Sequence, residues 1–271
     1  MTVGTALTVS GAHEVVRSMV GELNPAEDVV TFGLKTAEVK GVVVCWMADV
    51  RAIRHAACRG ANLIIAHESP FFPYNAGKAG NAPEHMTWHA NLNRVSLLAQ
   101  SGVAVIRTHL PMDNYCIIDE FAKKLALGRP SVCVRPPGVA LTLKAYDIER
   151  VSYGELIKDV KEKLSLKTVR ATPGDPDRPI GRLGVPWGGI GLFVNVGQTQ
   201  SFIDMGCEAL ITGESDNYGF RFAADAGCEM IEVGHEVSEN FGIEKFARDL
   251  ACKLPQIPVE FYENMPPFDF Y

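Results

Sequence analysis

The stretch from Lys40 to Ser69 constrains the fold more than any other part of the chain. Gly41-Val-Val-Val-Cys-Trp46 is a β-rich apolar run, Asp49 can cap a helix over residues 50–59, and Gly60 closes that helix. Ala61-Asn-Leu-Ile-Ile-Ala66 follows as a second continuous apolar strand. Strand, helix and strand joined by short connections imply a parallel pair, and runs this apolar require both faces of the sheet to be covered.

The pattern then repeats. A helix is expected over residues 87–100 with Gly102 as its stop, then a strand over 103–108 and a further helix over 117–127 ended by Gly128 and Pro130. From 131 to 206 the texture changes to short alternating strands and turn signals around one helix announced by the capping box Ser152-Tyr-Gly-Glu155. The α/β pattern returns with a strand at 208–212, a helix at 217–226 and a strand at 228–233. Ser238 is read as the cap of a last helix over 239–253, before a closing strand at 257–262. The expected fold is α/β and two-lobed. Residues 1–130 and 207–271 would form a three-layer α/β lobe, and 131–206 a smaller inserted α+β lobe.

Composition narrows the function classes. Apolar residues are 47% and charged residues 21% of 271, ordinary values for a chain that buries a core. The net charge of −6 supplies no basic field for nucleic acid or anionic membranes. No apolar run approaches the roughly 20 residues of a membrane helix. The seven cysteines are odd in number, widely spaced and without a C-x-x-C pair, so they read as reduced and mostly buried. With no basic n-region and long apolar stretch at the start, the expected location is cytoplasmic.

Three expected strands each run into a histidine: Ile-Ile-Ala-His67-Glu68, Ile-Arg-Thr-His109-Leu-Pro-Met-Asp113 and Glu-Val-Gly-His235-Glu-Val-Ser-Glu239. Ligands gather at the carboxyl ends of strands in parallel sheets, and each histidine travels with a carboxylate. Imidazole nitrogen with carboxylate oxygen suits divalent iron, manganese or zinc in hydrolytic or redox sites, whereas structural zinc favours thiolates. A single histidine after a strand is more often a turn or packing residue, but three in the same position carry more weight. Asp113 can also cap a following helix and Glu239 can be a first-turn acid; both roles are compatible with ligation. Phe71 stands where H-E-x-x-H needs its second histidine, which argues against a zincin protease. Gly77-Lys78 lacks the glycine spacing and the Ser or Thr of a P-loop, and Gly188-Gly-Ile-Gly191 reads as a tight turn instead of a phosphate cradle.

At these residues the chain resembles the Nif-three-like dinuclear-metal-centre proteins, often labelled homologues of GTP cyclohydrolase 1 type 2. The similar stretches are 61–70, 105–113, Ile211-Thr-Gly-Glu214 and 233–239. The resemblance implies two metals in a cleft of an α/β molecule with an inserted lobe, commonly a toroidal homohexamer. It would place His67 and His235 on one metal, Asp113 on the other and Glu239 as the bridge. One position departs: the family usually has a second histidine where this chain has Glu68. If Glu68 ligates there, the site is one unit more negative, which favours iron or manganese over zinc and raises the pKa of metal-held water.

Two readings stay open. One is a metal-dependent hydrolase acting on a nucleotide-like or phosphate-containing small molecule, with His109 transferring a proton and Glu214 and Glu236 orienting ligand histidines. The other is a non-catalytic protein that carries or senses metal, or docks a metal cofactor.

Overall fold

Strands form where the apolar runs lie. The computed structural model describes residues 6–73 and 83–269, so Gly77-Lys78 lies outside the described residues. The chain divides into two units, Met1–Cys116 with Ile243–Asn264, and Ile117–Gly242 with Met265–Tyr271.

In the first unit, α1 (Val9–Val20) leads into the short strand β1 (Val30–Phe32), then β2 (Val42–Cys45), α2 (Val50–Cys58), β3 (Leu63–Ala66), α3 (His89–Ser101) and β4 (Ala104–Arg107). The sheet order is β1, β4, β3, β2 and the last strand, Val259–Tyr262. All neighbours are parallel except β1, which runs antiparallel to β4. Every residue of β2, β3 and β4 is buried, as a sheet covered on both faces demands. Val43, Ile64 and Val105 pack on Ala52, Ile53 and Leu98, and each large aliphatic side chain withdrawn from water there contributes roughly 1.5–3 kcal/mol. Asp49 caps α2, its carboxylate accepting from the Ala52 N–H at 2.7 Å. Gly102 ends α3 at φ 64°, a left-handed conformation that glycine adopts without a Cβ penalty. After β4 come a single helical turn, α4 (Leu110–Met112), and a π-helical turn, Asp113–Ile117.

The second unit holds α5 (Ile118–Lys124), β5 (Val132–Val134), β6 (Leu143–Ser152), α6 (Tyr153–Lys163), β7 (Arg170–Ala171), β8 (Pro179–Gly184), α7 (Val196–Asp204), β9 (Ala209–Thr212), α8 (Asn217–Asp225) and β10 (Glu229–Glu232). Helix α9 (His235–Lys253) starts there and ends in the first unit. The six-stranded sheet has the order β5-β6-β8-β9-β10-β7 and is mixed, with β8, β9 and β10 parallel. The capping box forms: the Ser152 hydroxyl accepts from the Glu155 N–H, and the Glu155 carboxylate accepts from the Ser152 N–H.

The α/β fold class agrees with the expectation, but strand pairing draws the partition elsewhere. Strands β9 and β10 join β8 and β7 in the second sheet, so residues 207–242 group with 131–206 and not with the N-terminal segment. Helix α9 also begins at His235, earlier than a Ser238 cap would allow. Gly234, at φ 112°, turns the chain, and its carbonyl accepts from the Ser238 N–H at 3.1 Å. No described helix is long and apolar enough to cross a membrane.

Candidate metal centre

In the first unit the site grows from the carboxyl ends of the adjacent strands β3 and β4. His67 and Glu68 follow β3, and their N–H groups donate to the carbonyls of Cys45 and Trp46, which tie them to the end of β2. The His67 ring is fully buried. Its Nδ1 lies 3.3 Å from the Thr108 carbonyl oxygen, which only accepts, so the hydrogen-bond network assigns the proton to Nδ1 and the lone pair to Nε2. Nε2 faces Asp113 Oδ1 at 3.7 Å. Asp113, 3% exposed, opens the π-helical turn, a local widening of the helix often found at functional sites.

His109 stacks on His67 with ring centroids 4.7 Å apart. Its Nε2 faces Glu68 Oε1 at 3.6 Å and its Nδ1 faces Glu27 Oε2 at 3.4 Å. Burial on its own lowers the pKa of this imidazole, but Glu27, Glu68 and Asp113 outweigh it and the pKa is pushed up to about 10. The backbone N–H of His109 donates to Asp28 Oδ1 at 2.6 Å, and the Asp28 carbonyl is itself held by His13 Nε2 at 3.0 Å. Arg107, 2% exposed, closes the group. Its Nε donates to the His67 carbonyl at 3.3 Å, and its two terminal nitrogens lie 3.7 Å from Glu68 Oε2 and 4.0 Å from Glu27 Oε2. The extra negative charge expected of Glu68 is therefore offset by a neighbouring guanidinium. Ligand atoms of His67, His109 and Asp113 lie within 4.8 Å of one another, close enough to share one ion.

In the second unit, helix α9 places His235 and Glu239 four residues apart on one face. His235 Nε2 lies 3.5 Å from Glu239 Oε1. His235 Nδ1 lies 2.9 Å from Glu214 Oε2, so Nδ1 carries the proton and Nε2 the lone pair, as in His67. Glu214 sits just beyond β9. Glu236 is buried, with Oε1 making no hydrogen bond among the described residues, and burial pushes its pKa up. Gly188 approaches the pair so closely that a Cβ there would lie 2.0 Å from Glu239 Oε1 and 3.1 Å from His235 Nε2. The Gly188 N–H donates to Ser238 Oγ at 2.9 Å.

His67 and His109 thus end neighbouring strands of one sheet, whereas His235 follows β10 of the other. The common strand-end pattern does not place all three on a single sheet. Sequence reasoning missed Glu27, Asp28, Arg107 and the contact role of Gly188. Arg107 left a signal, a charged residue inside the apolar run Val-Ile-Arg-Thr. Glu27 and Asp28 left none. The donors present are imidazole nitrogens and carboxylate oxygens, with no cysteine among them, and His67, His109 and His235 each turn Nε2 toward a carboxylate. That donor set fits a hard or borderline divalent ion.

Residues 18–267 match the family model described as Duf34/NIF3 (NGG1p interacting factor 3). A protein of Archaeoglobus fulgidus called "GTP cyclohydrolase 1 type 2 homolog" is 26% identical over 249 residues, covering 86% of this chain and 89% of that one. Several solved structures share the fold, among them the following two. The Staphylococcus aureus hypothetical protein SA1388 has a TM-score of 0.76 at 16% identity, covering 98% of this chain and 100% of the other. A Bacillus cereus protein related to NIF3 has a TM-score of 0.75 at 14% identity, covering 97% and 99%.

Proposed function

The chain belongs to the Duf34/NIF3 family, and on that premise we propose that it is a dinuclear metal-binding protein acting as a metal-dependent hydrolase on a nucleotide-like or phosphate-containing small molecule. The observation that carries this reading is the matched presentation of two histidines. His67 and His235 each have Nδ1 held by an oxygen acceptor and Nε2 directed at a carboxylate, of Asp113 and of Glu239 respectively. His67, Asp113, His235 and Glu239 would hold the ions, with iron or manganese favoured over zinc by the oxygen donors. Bound divalent ions would supply Lewis acidity toward a phosphoryl or ring-carbonyl oxygen. His109 would serve as the proton donor: Glu27 and Glu68 flank its two ring nitrogens and keep it charged, while its partial exposure leaves it within reach of solvent. Glu214 fixes the ring of His235. The name carried by the Archaeoglobus relative, a GTP cyclohydrolase 1 type 2 homolog, supports a nucleotide-like substrate. Assembly as a homohexamer and a cytoplasmic location complete the proposal.

The test is elemental analysis of anaerobically purified protein beside Glu239→Ala, followed by turnover of nucleotides, phosphoesters and cyclic amides. About two metal equivalents per chain, falling sharply in the variant, is the expected result. No metal after reconstitution overturns the reading. A second reading is a metal carrier without turnover, which would use the same imidazole and carboxylate donors and would need no proton donor. A carrier would yield its metal to a chelator within minutes and be indifferent to His109→Ala; a hydrolase would retain metal and lose rate.

A further inference from the structure

Glu68, Arg107, Glu27 and His109 form a closed ring in which each acidic group lies between two basic ones. Arg107 meets Glu68 at 3.7 Å, Glu68 meets His109 at 3.6 Å, His109 meets Glu27 at 3.4 Å, and Glu27 meets Arg107 at 4.0 Å. Parallel register creates the ring: Ala66 of β3 lies opposite Arg107 of β4, so the residues just past Ala66 come within reach of the guanidinium. The Arg107 Nε bond to the His67 carbonyl fixes the side chain at that strand end. Both Glu68 oxygens are engaged, Oε1 with His109 and Oε2 with Arg107 and the Ser69 N–H.

We propose that Arg107 and Glu68 are a matched charge pair, so that Glu68 serves as a positioning residue for His109 instead of a metal ligand. This rests on the metal-binding reading above. Arg107 offsets the charge that Glu68 brings, so the two together add no net charge beside the ion. Glu27 closes the other side of the imidazole. Removing either member leaves the buried ring out of balance by one unit of charge, and removing both restores the balance.

The experiment is a double-mutant cycle, Glu68→Gln, Arg107→Gln and the double variant, read by the melting temperature of the metal-free protein and by metal content. Each single variant should lower the Tm by roughly 5 °C, and the double variant should recover most of that loss. Glu68→Gln should keep the wild-type number of metal equivalents. Arg107→Gln, which makes the ring one unit more negative, should hold a divalent ion at least about tenfold more tightly against a competing chelator, and the double variant should return toward wild type. Loss of about one metal equivalent in Glu68→Gln, unrestored in the double variant, would make Glu68 a ligand and overturn the proposal. Strictly additive Tm losses would overturn it as well. If the wild type binds no metal, the functional reading fails alone, because the metal-free melting cycle still decides whether the pair is coupled.

Discussion

Gly188→Ala tests whether the loop at 188–191 shapes the His235–Glu239 pair. An added Cβ would sit 2.0 Å from Glu239 Oε1 and 3.1 Å from His235 Nε2, far inside van der Waals contact, and φ at this residue is 52°. The left-handed backbone costs a residue with a Cβ about 1–2 kcal/mol. Overpacking at a buried position typically adds about 1–3 kcal/mol, so a total loss of about 2–5 kcal/mol is expected. The strain can be relieved only by moving the loop or by swinging Glu239 away from His235, and the second route dismantles the donor pair. Urea unfolding of the metal-free variant, together with calorimetric metal titration, would show a lower midpoint, weaker metal binding, or both. Gly197→Ala is the control: nothing lies within 4 Å of its added Cβ, the residue is helical, and the change should be neutral or slightly stabilising. A Gly188→Ala variant with wild-type midpoint and wild-type metal affinity would refute the argument.

Three further outcomes follow from the same geometry. Glu214→Gln leaves the ring of His235 without its carboxylate partner at 2.9 Å, and metal affinity measured by chelator competition should fall by about 10–100-fold. In the metal-free protein His109 titrates near 10, above the ordinary value near 6.5, so its stabilising contribution is complete below about pH 6.5 and is lost as pH rises toward 10. Melting temperature against pH should therefore decline across that window, and His109→Ala should flatten the decline. Of the seven cysteines, Cys58, Cys133 and Cys252 are exposed, whereas burial pushes Cys207 and Cys228 up to about 12 and raises Cys45 as well. A thiol reagent should label the three exposed thiols rapidly in the native protein, and labelling of all seven at one rate would contradict the burial described.

The sequence alone determined the features whose causes lie within a few residues. The Asp49 cap, the apolar runs of β2, β3 and β4, the Gly102 stop and the Ser152-to-Glu155 capping box all appear where local periodicity and capping chemistry put them. The candidate ligand types were legible too, because a histidine after an apolar strand can be read without knowing what it faces. The start of α9 was not, since Ser238 is a good cap in isolation and only Gly234, turning after β10, moved the first turn back to His235. Tertiary structure decided the rest. Which sheet received β9 and β10 depended on pairing across the chain, and that assigned His235 to a different sheet from His67 and His109. Asp28 holds the His109 backbone across 81 positions, and Glu27 comes to Arg107 and His109 over similar separations. Such contacts leave no local trace, because a surface loop can supply a carboxylate from any point in the chain, and only the completed packing determines which charge it will offset.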